Sequence, residues 1–241
     1  MLKEDSDAAL LRIFECFLEA APQQVLQTSL LLRANQEFAV HQVLSITSSI
    51  IGMGWCLAAY QRAVRFAQQD KSNISWTGTA LQTMWHFLVT LSRIISIAII
   101  AFMYPHWTIL ACATHIFITA ILVQIFDRSP FCSNNRLGDM AFSLTLGAVY
   151  LFTYILPIEG RTRYRYAIYY SVCFIQNTAC GVIWYLYGQN EVYFHLLLVF
   201  TIVPYVVGLT IMLIYYRFFH PKVSKEDFSV SFKTGDNDIV S

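Results

Sequence analysis

Seven apolar runs, at roughly 8–32, 40–60, 80–104, 107–126, 139–158, 166–187 and 194–219, fill most of this 241-residue chain. A helix crosses the hydrocarbon core of a bilayer with about 20 mostly apolar residues. Charged residues are only 13% of the chain, where soluble domains carry about 25%, so polar groups are too few to cover the surface of a water-soluble fold. The expected fold is an all-α polytopic membrane protein with about seven hydrophobic helices. Tyr and Trp, 14 and 5 in number, suit a protein with many membrane–water boundaries.

The ends of the runs are punctuated. Pro105 separates the third from the fourth, "DRSPFCSNNRLGD" (127–139) reads as a turn-rich loop, Pro157 and Gly160 break the fifth, and His220-Pro221 stops the last. Residues 1–221 thus form the membrane domain. The polar stretch 222–241 is expected to be a disordered tail. The net charge of +1 and the lack of a large basic tract give no footing for nucleic acid.

Lys and Arg in short loops set orientation. Arg161, Arg163 and Arg165 crowd the loop 159–165, Lys222, Lys225 and Lys233 lie in the tail, and the loop 188–193 has no basic residue. The first two are read as cytoplasmic and the third as external. Arg62, Arg65 and Lys71 place the loop after the second run inside as well. Three runs then separate two internal loops, which an even number of crossings must do. One of the three is therefore expected to enter and leave from the same side, as half-inserted segments do where protein covers them. The sequon Asn73-Ile74-Ser75 is expected to go unused because its loop faces inward.

The first run, "LLRIFECFLEAAPQQVLQTSLLL", carries Arg12, Glu15 and Glu19 in its middle. Glu15 and Glu19 are four apart and share a helix face. Gln23 extends that stripe by four more, and Asp7 lies about 80° away at 100° per residue. Pro22 removes a backbone hydrogen bond and is expected to kink or end the helix. The third run carries Arg93, with His86 seven residues earlier on the same side. Packing these runs together, so that Arg93 meets Glu15 and Glu19, is the expected arrangement. Such a cluster reads either as a buried ion-pair network or as a polar route through the membrane. Buried pairs rarely add net stability over apolar packing, whereas intramembrane charge commonly marks function.

No catalytic residue is expected: the chain has no Gly-rich phosphate loop, no G-x-S-x-G and no H-E-x-x-H. The six histidines are scattered, five of the six cysteines lie in apolar runs, and no C-x-x-C occurs, so neither a metal site, nor a cofactor, nor a disulfide framework is expected. The arginines at 161, 163 and 165 read either as a topology signal or as contacts to lipid phosphates.

In order along the chain, "LLRIFECFLEAAPQQVLQ", "WCLAAYQRAVR", "MWHFLVTLSRIISIAI", "EGRTRYRYAIYY", "NTACGVIWYLY" and "MLIYYRFFHP" resemble the XK-related membrane proteins over nearly all of residues 7–221. The resemblance implies a helical scramblase-type fold with a charged internal path and a lipid cleft, moving phospholipids between leaflets without ATP. It implies phosphatidylserine exposure at the plasma membrane of apoptotic cells. It also implies a charge cluster carried here by Asp7, Glu15, Glu19 and Arg93. Family members usually carry two or more membrane segments before the "LRIFE" region, whereas Met1 lies almost on top of it here. A short or partial member, with part of the lipid path missing, is the expectation. The tail shows no clear D-x-x-D caspase site. Two further readings from other classes are a non-catalytic subunit that docks a lipid-transfer protein or single-span chaperone, and a small-solute transporter. Inverted repeats would favour the transporter, and none is evident.

Overall fold

The structure, a computed structural model, describes residues 2–33, 40–66, 73–126, 136–155, 163–188 and 193–219. The described residues are helical with no strand. In chain order they form α1 (Leu2–Glu15), a π-helical turn (Cys16–Ala20), α2 (Ala21–Arg33), α3 (Val40–Phe66), α4 (Trp76–Met103), α5 (Pro105–Phe126), α6 (Arg136–Val149), α7 (Arg163–Tyr187) and α8 (Phe194–Ile214), which closes in a second π turn, Tyr215–Phe219. Each of the seven runs is met by a helix. Four, α3, α4, α5 and α8 with its π turn, are long and apolar enough to cross a membrane by length and composition. Residues 34–39, the loop at 127–135, Arg161 and the whole tail lie outside the described residues, and with them the expectation of disorder at 222–241.

Pro22 does not end the first helix. The chain runs α1, π turn, α2 without a break to Arg33. The reason is local. Proline has no N–H for the carbonyl one turn back, and the π turn just ahead of it rearranges that turn, with the Ala21 N–H donating to the Cys16 carbonyl five residues before. α4 opens on Ser75, whose hydroxyl accepts from the Gly78 N–H at 3.1 Å. α5 starts on Pro105, a position where the missing N–H costs nothing.

α4 is the central helix, packed against α2, α3, α5, α7 and α8. Close approach to α3 depends on Gly54, where a Cβ would sit 2.8 Å from the Thr83 carbonyl oxygen. Gly147 plays the same part between α6 and α5, a Cβ there meeting the Ile116 carbonyl oxygen at 2.7 Å.

Side-chain contacts place the helix ends. Arg62 of α3 donates to the Thr79 hydroxyl at 3.4 Å and lies over the Trp76 ring at 4.1 Å. Tyr166 of α7 meets Tyr216, with ring centroids 6.3 Å apart. The end of α3, the starts of α4 and α7 and the end of α8 therefore share one face of the bundle, called here the basic end. At the opposite end Arg33 donates to the Phe102 carbonyl at 3.3 Å, Phe102 packs on Trp184, and the Trp184 indole N–H donates to the Phe194 carbonyl.

α6 breaks the alternation. Its 14 residues rise about 21 Å, short of a hydrocarbon core of about 30 Å. It runs back along α5 and stops at depth, where Tyr150, Leu151, Phe152, Thr153, Tyr154 and Ile155 are all buried. The next helix, α7, begins again at the basic end. The segment 136–155 thus runs part way along α5 and turns back, as a half-inserted segment does, and the end of α3 and the start of α7 share a face.

Candidate functional site

Two polar features occupy the apolar bundle. The first is buried and built on α4. Thr79, Gln82, His86, Thr90 and Arg93, spaced three, four, four and three apart, form one stripe, and every one of them is buried. Gln61 of α3 accepts from the Gln82 amide, and its own amide nitrogen lies 3.2 Å from His86 Nε2.

At the inner end of the stripe Arg93, 3% exposed, makes four hydrogen bonds. Nε and Nη2 donate to the Leu151 carbonyl at 3.1 and 2.9 Å, Nη2 also to Gln176 Oε1 at 2.9 Å, and Nη1 to Asn177 Oδ1 at 2.7 Å. The network runs on in both directions. The Asn177 amide donates to the Ser92 hydroxyl at 3.0 Å, and Ser92 donates to the Thr201 carbonyl of α8. The Gln176 amide lies 3.1 Å from His115 Nδ1, and His115 Nε2 lies 3.3 Å from the Tyr150 carbonyl. A carbonyl can only accept and an amide nitrogen can only donate, so these two contacts put the His115 proton on Nε2.

Arg93 therefore does not meet Glu15 and Glu19. The cause lies in the half-inserted segment. Where the chain leaves α6 at depth, the Leu151 carbonyl has no helical donor, and a carbonyl stranded in hydrocarbon costs several kcal/mol. A guanidinium offers a fork of donors that stay charged. Two donors go to Leu151, and the two carboxamides of α7 take two more.

The second feature is an open cleft of about 480 Å³ between the first helix and α3, lined by Arg12, Glu15, Glu19 and Gln23 on one wall and Trp55, Cys56 and Ala59 on the other, with Ala9, Cys16 and Ala20 between. The stripe expected from the four-residue spacing is thus one wall of one cleft. Its members face outward: Arg12, Glu15, Glu19 and Gln23 are all exposed. Arg12, Glu15 and Glu19 make no hydrogen bond or ion pair among the described residues. Asp7 is exposed and not part of the lining; it acts electrostatically on Tyr60 of α3. Arg165 is half-buried and partnered, and the side chain of Arg163 lies outside the described residues.

Reading the sequence found the cleft wall and Arg93 but missed the groups that hold Arg93. The signal was present: Gln176-Asn177, two adjacent carboxamides in an apolar run, carry the same desolvation cost as a lone charge in kind if not in size. The thiols of Cys16 and Cys56 interact side chain to side chain across the cleft floor. Mild copper–phenanthroline oxidation in membranes is expected to join them, seen as a Cys16–Cys56 linked peptide by mass spectrometry. A protein in which Cys56 links to no partner under these conditions would contradict the packing of the first helix on α3.

A bundle of membrane-crossing helices around a buried, hydrogen-bonded arginine, with a half-inserted segment and a charged cleft on its flank, defines a multi-pass membrane protein. The family model described as XK-related protein matches residues 1–221, and the chain belongs to that family. It is 33% identical over 233 residues to the "Cell death abnormality protein 8" of Caenorhabditis briggsae, covering 92% of this chain and 50% of that protein. It is 29% identical over 247 residues to the protein of the same name from Caenorhabditis elegans, covering 96% of this chain and 54% of that one. The chain spans about half the length of the curated relatives it matches.

Proposed function

We propose that this protein lets phospholipids cross between the leaflets of the plasma membrane without ATP, exposing phosphatidylserine on dying cells. The observation that carries the reading is the cleft: Arg12, Glu15, Glu19 and Gln23 are held on the outer flank of a membrane bundle, with no partner among the described residues for the three charges. A bare zwitterionic headgroup in hydrocarbon is costly because its polar groups lose their hydrogen bonds. A flank that offers a guanidinium and two carboxylates along the bilayer normal replaces part of that hydration, while the acyl chains stay in lipid. The name of the relatives, "Cell death abnormality protein 8", supports the biological setting. In this reading the basic end faces the cytoplasm, so the tail is cytoplasmic and the arginines of the loop 159–165 meet lipid phosphates there.

Purified protein in liposomes is expected to speed the loss of a tail-labelled lipid's fluorescence to an external quencher, beyond protein-free vesicles and without nucleotide. Folded protein that leaves lipid exchange at the protein-free rate would overturn the reading. It would favour instead a membrane subunit that docks a lipid-transfer protein or a single-span chaperone. One observation fits that second reading: Trp107, Ile109, Leu110, Phe117 and Ile121 leave one side of α5 exposed and apolar.

A further inference from the structure

We propose that the cleft selects headgroups that carry an ammonium, so that phosphatidylserine, phosphatidylethanolamine and phosphatidylcholine pass and lipids without an amine, such as phosphatidylglycerol, are held back. The inference rests on the function proposed above and names the chemistry that its site recognises.

The cleft holds one positive charge, Arg12, and two negative ones, Glu15 and Glu19, a net excess of one negative charge. A lipid phosphate alone would be repelled by that balance. A headgroup that carries an ammonium beside its phosphate complements it. The order along the helix fits: Arg12 and Glu15 are three residues apart, a rise of about 4.5 Å, comparable to the ethanolamine bridge between a phosphate and its ammonium. Arg12 takes the phosphate, for which its planar fork is suited, and Glu15 takes the ammonium. Glu19, a further turn along, offers the next resting place for the same ammonium. Trp55 on the opposite wall, half exposed, adds an indole of the kind that attracts ammonium groups. None of the three charges is satisfied by another among the described residues, although Arg12 and Glu15 stand one turn apart on one helix. They are available to a ligand.

Phosphatidylserine and phosphatidylglycerol each carry one net negative charge; phosphatidylserine adds an ammonium and a carboxylate, and since Glu15 and Glu19 repel the carboxylate, a preference for it at equal net charge that depends on these acids reports the ammonium. Binding is read first, independently of transport. Cys16 lines the cleft, and its alkylation by a maleimide is followed by mass spectrometry in detergent. Short-chain phosphatidylserine is expected to slow the reaction about tenfold more than short-chain phosphatidylglycerol, a difference of about 1.4 kcal/mol. Glu15→Gln with Glu19→Gln is expected to bring the two lipids to parity. In liposomes, tail-labelled phosphatidylserine is expected to exchange faster than tail-labelled phosphatidylglycerol in the same ratio, again lost in the double variant. Equal protection of Cys16 by the two lipids, or a preference that survives in the double variant, overturns the proposal. Preferential protection without exchange of either lipid keeps the ammonium site and overturns the scramblase reading alone.

Discussion

Replacing Arg93 with alanine is expected to deprive the bundle of its fold. The change leaves the Leu151 carbonyl, Gln176 Oε1 and Asn177 Oδ1 without the donors that now satisfy them. Each stranded buried group costs about 1–3 kcal/mol, and the three together approach the whole stability of a typical domain, about 5–15 kcal/mol. The measurement is the yield and thermal stability of monodisperse protein by fluorescence-detected size exclusion. Arg93→Lys should be intermediate, since an ammonium keeps the charge but cannot reproduce the planar fork that reaches Leu151 twice. Neutralising the acids, with Glu15→Gln and Glu19→Gln, is expected to leave yield and thermal stability close to native, because neither acid has a partner among the described residues to lose, and to rescue nothing in Arg93→Ala. A rescue by those glutamines would mean that Arg93 pairs with the acids after all.

The half-inserted segment predicts an all-or-none result. In a protein whose six native cysteines are changed to serine, single cysteines at Thr77, Tyr164 and Tyr187 are probed with a membrane-impermeant thiol reagent. All three positions are exposed. Thr77, at the start of α4, and Tyr164, at the start of α7, are expected to react from the same side of the membrane. Tyr187, at the end of α7, should react from the other. Three full crossings between Thr77 and Tyr164 would instead put these two on opposite sides. The network around Arg93 would then have no half-inserted segment to hold.

Much of this arrangement is legible in the residues. Run length and the scarcity of charge give seven helical segments, and the arginines on either side of runs three to five require one of those runs to turn back. Which of them does so is decided by Gly147 and the buried stretch after Val149, and the fifth run, long enough on paper, gives no sign of it because its second half stays apolar without being helical. The four-residue spacing puts Glu15, Glu19 and Gln23 on one helix face, and that face lines the cleft. What it faces was not legible. Opposite charges attract in any diagram, but Glu15 and Glu19 are exposed while the Leu151 carbonyl is buried and needs a donor, and Leu151 carries no mark in the sequence of having lost its helical donor. Pro22 is a similar case: a proline's effect on a helix depends on whether a π turn can absorb it, and nothing in "FLEAAPQQ" announces one.

The central claim is that lipid headgroups travel along the cleft wall and not merely through a disturbed bilayer. The direct measurement is the rate of lipid exchange in liposomes holding equal amounts of folded protein, either native or carrying Glu15→Leu with Glu19→Leu, with Phe117→Glu, an acid added on the exposed side of α5 away from the cleft, as a control. The account predicts that the double leucine variant loses at least about tenfold in rate, since removing one charge-assisted contact of about 1.5 kcal/mol already gives that factor, and that the control does not exceed the native rate. Exchange that is unchanged when both glutamates become leucine, or that rises when Phe117 becomes glutamate, would contradict it.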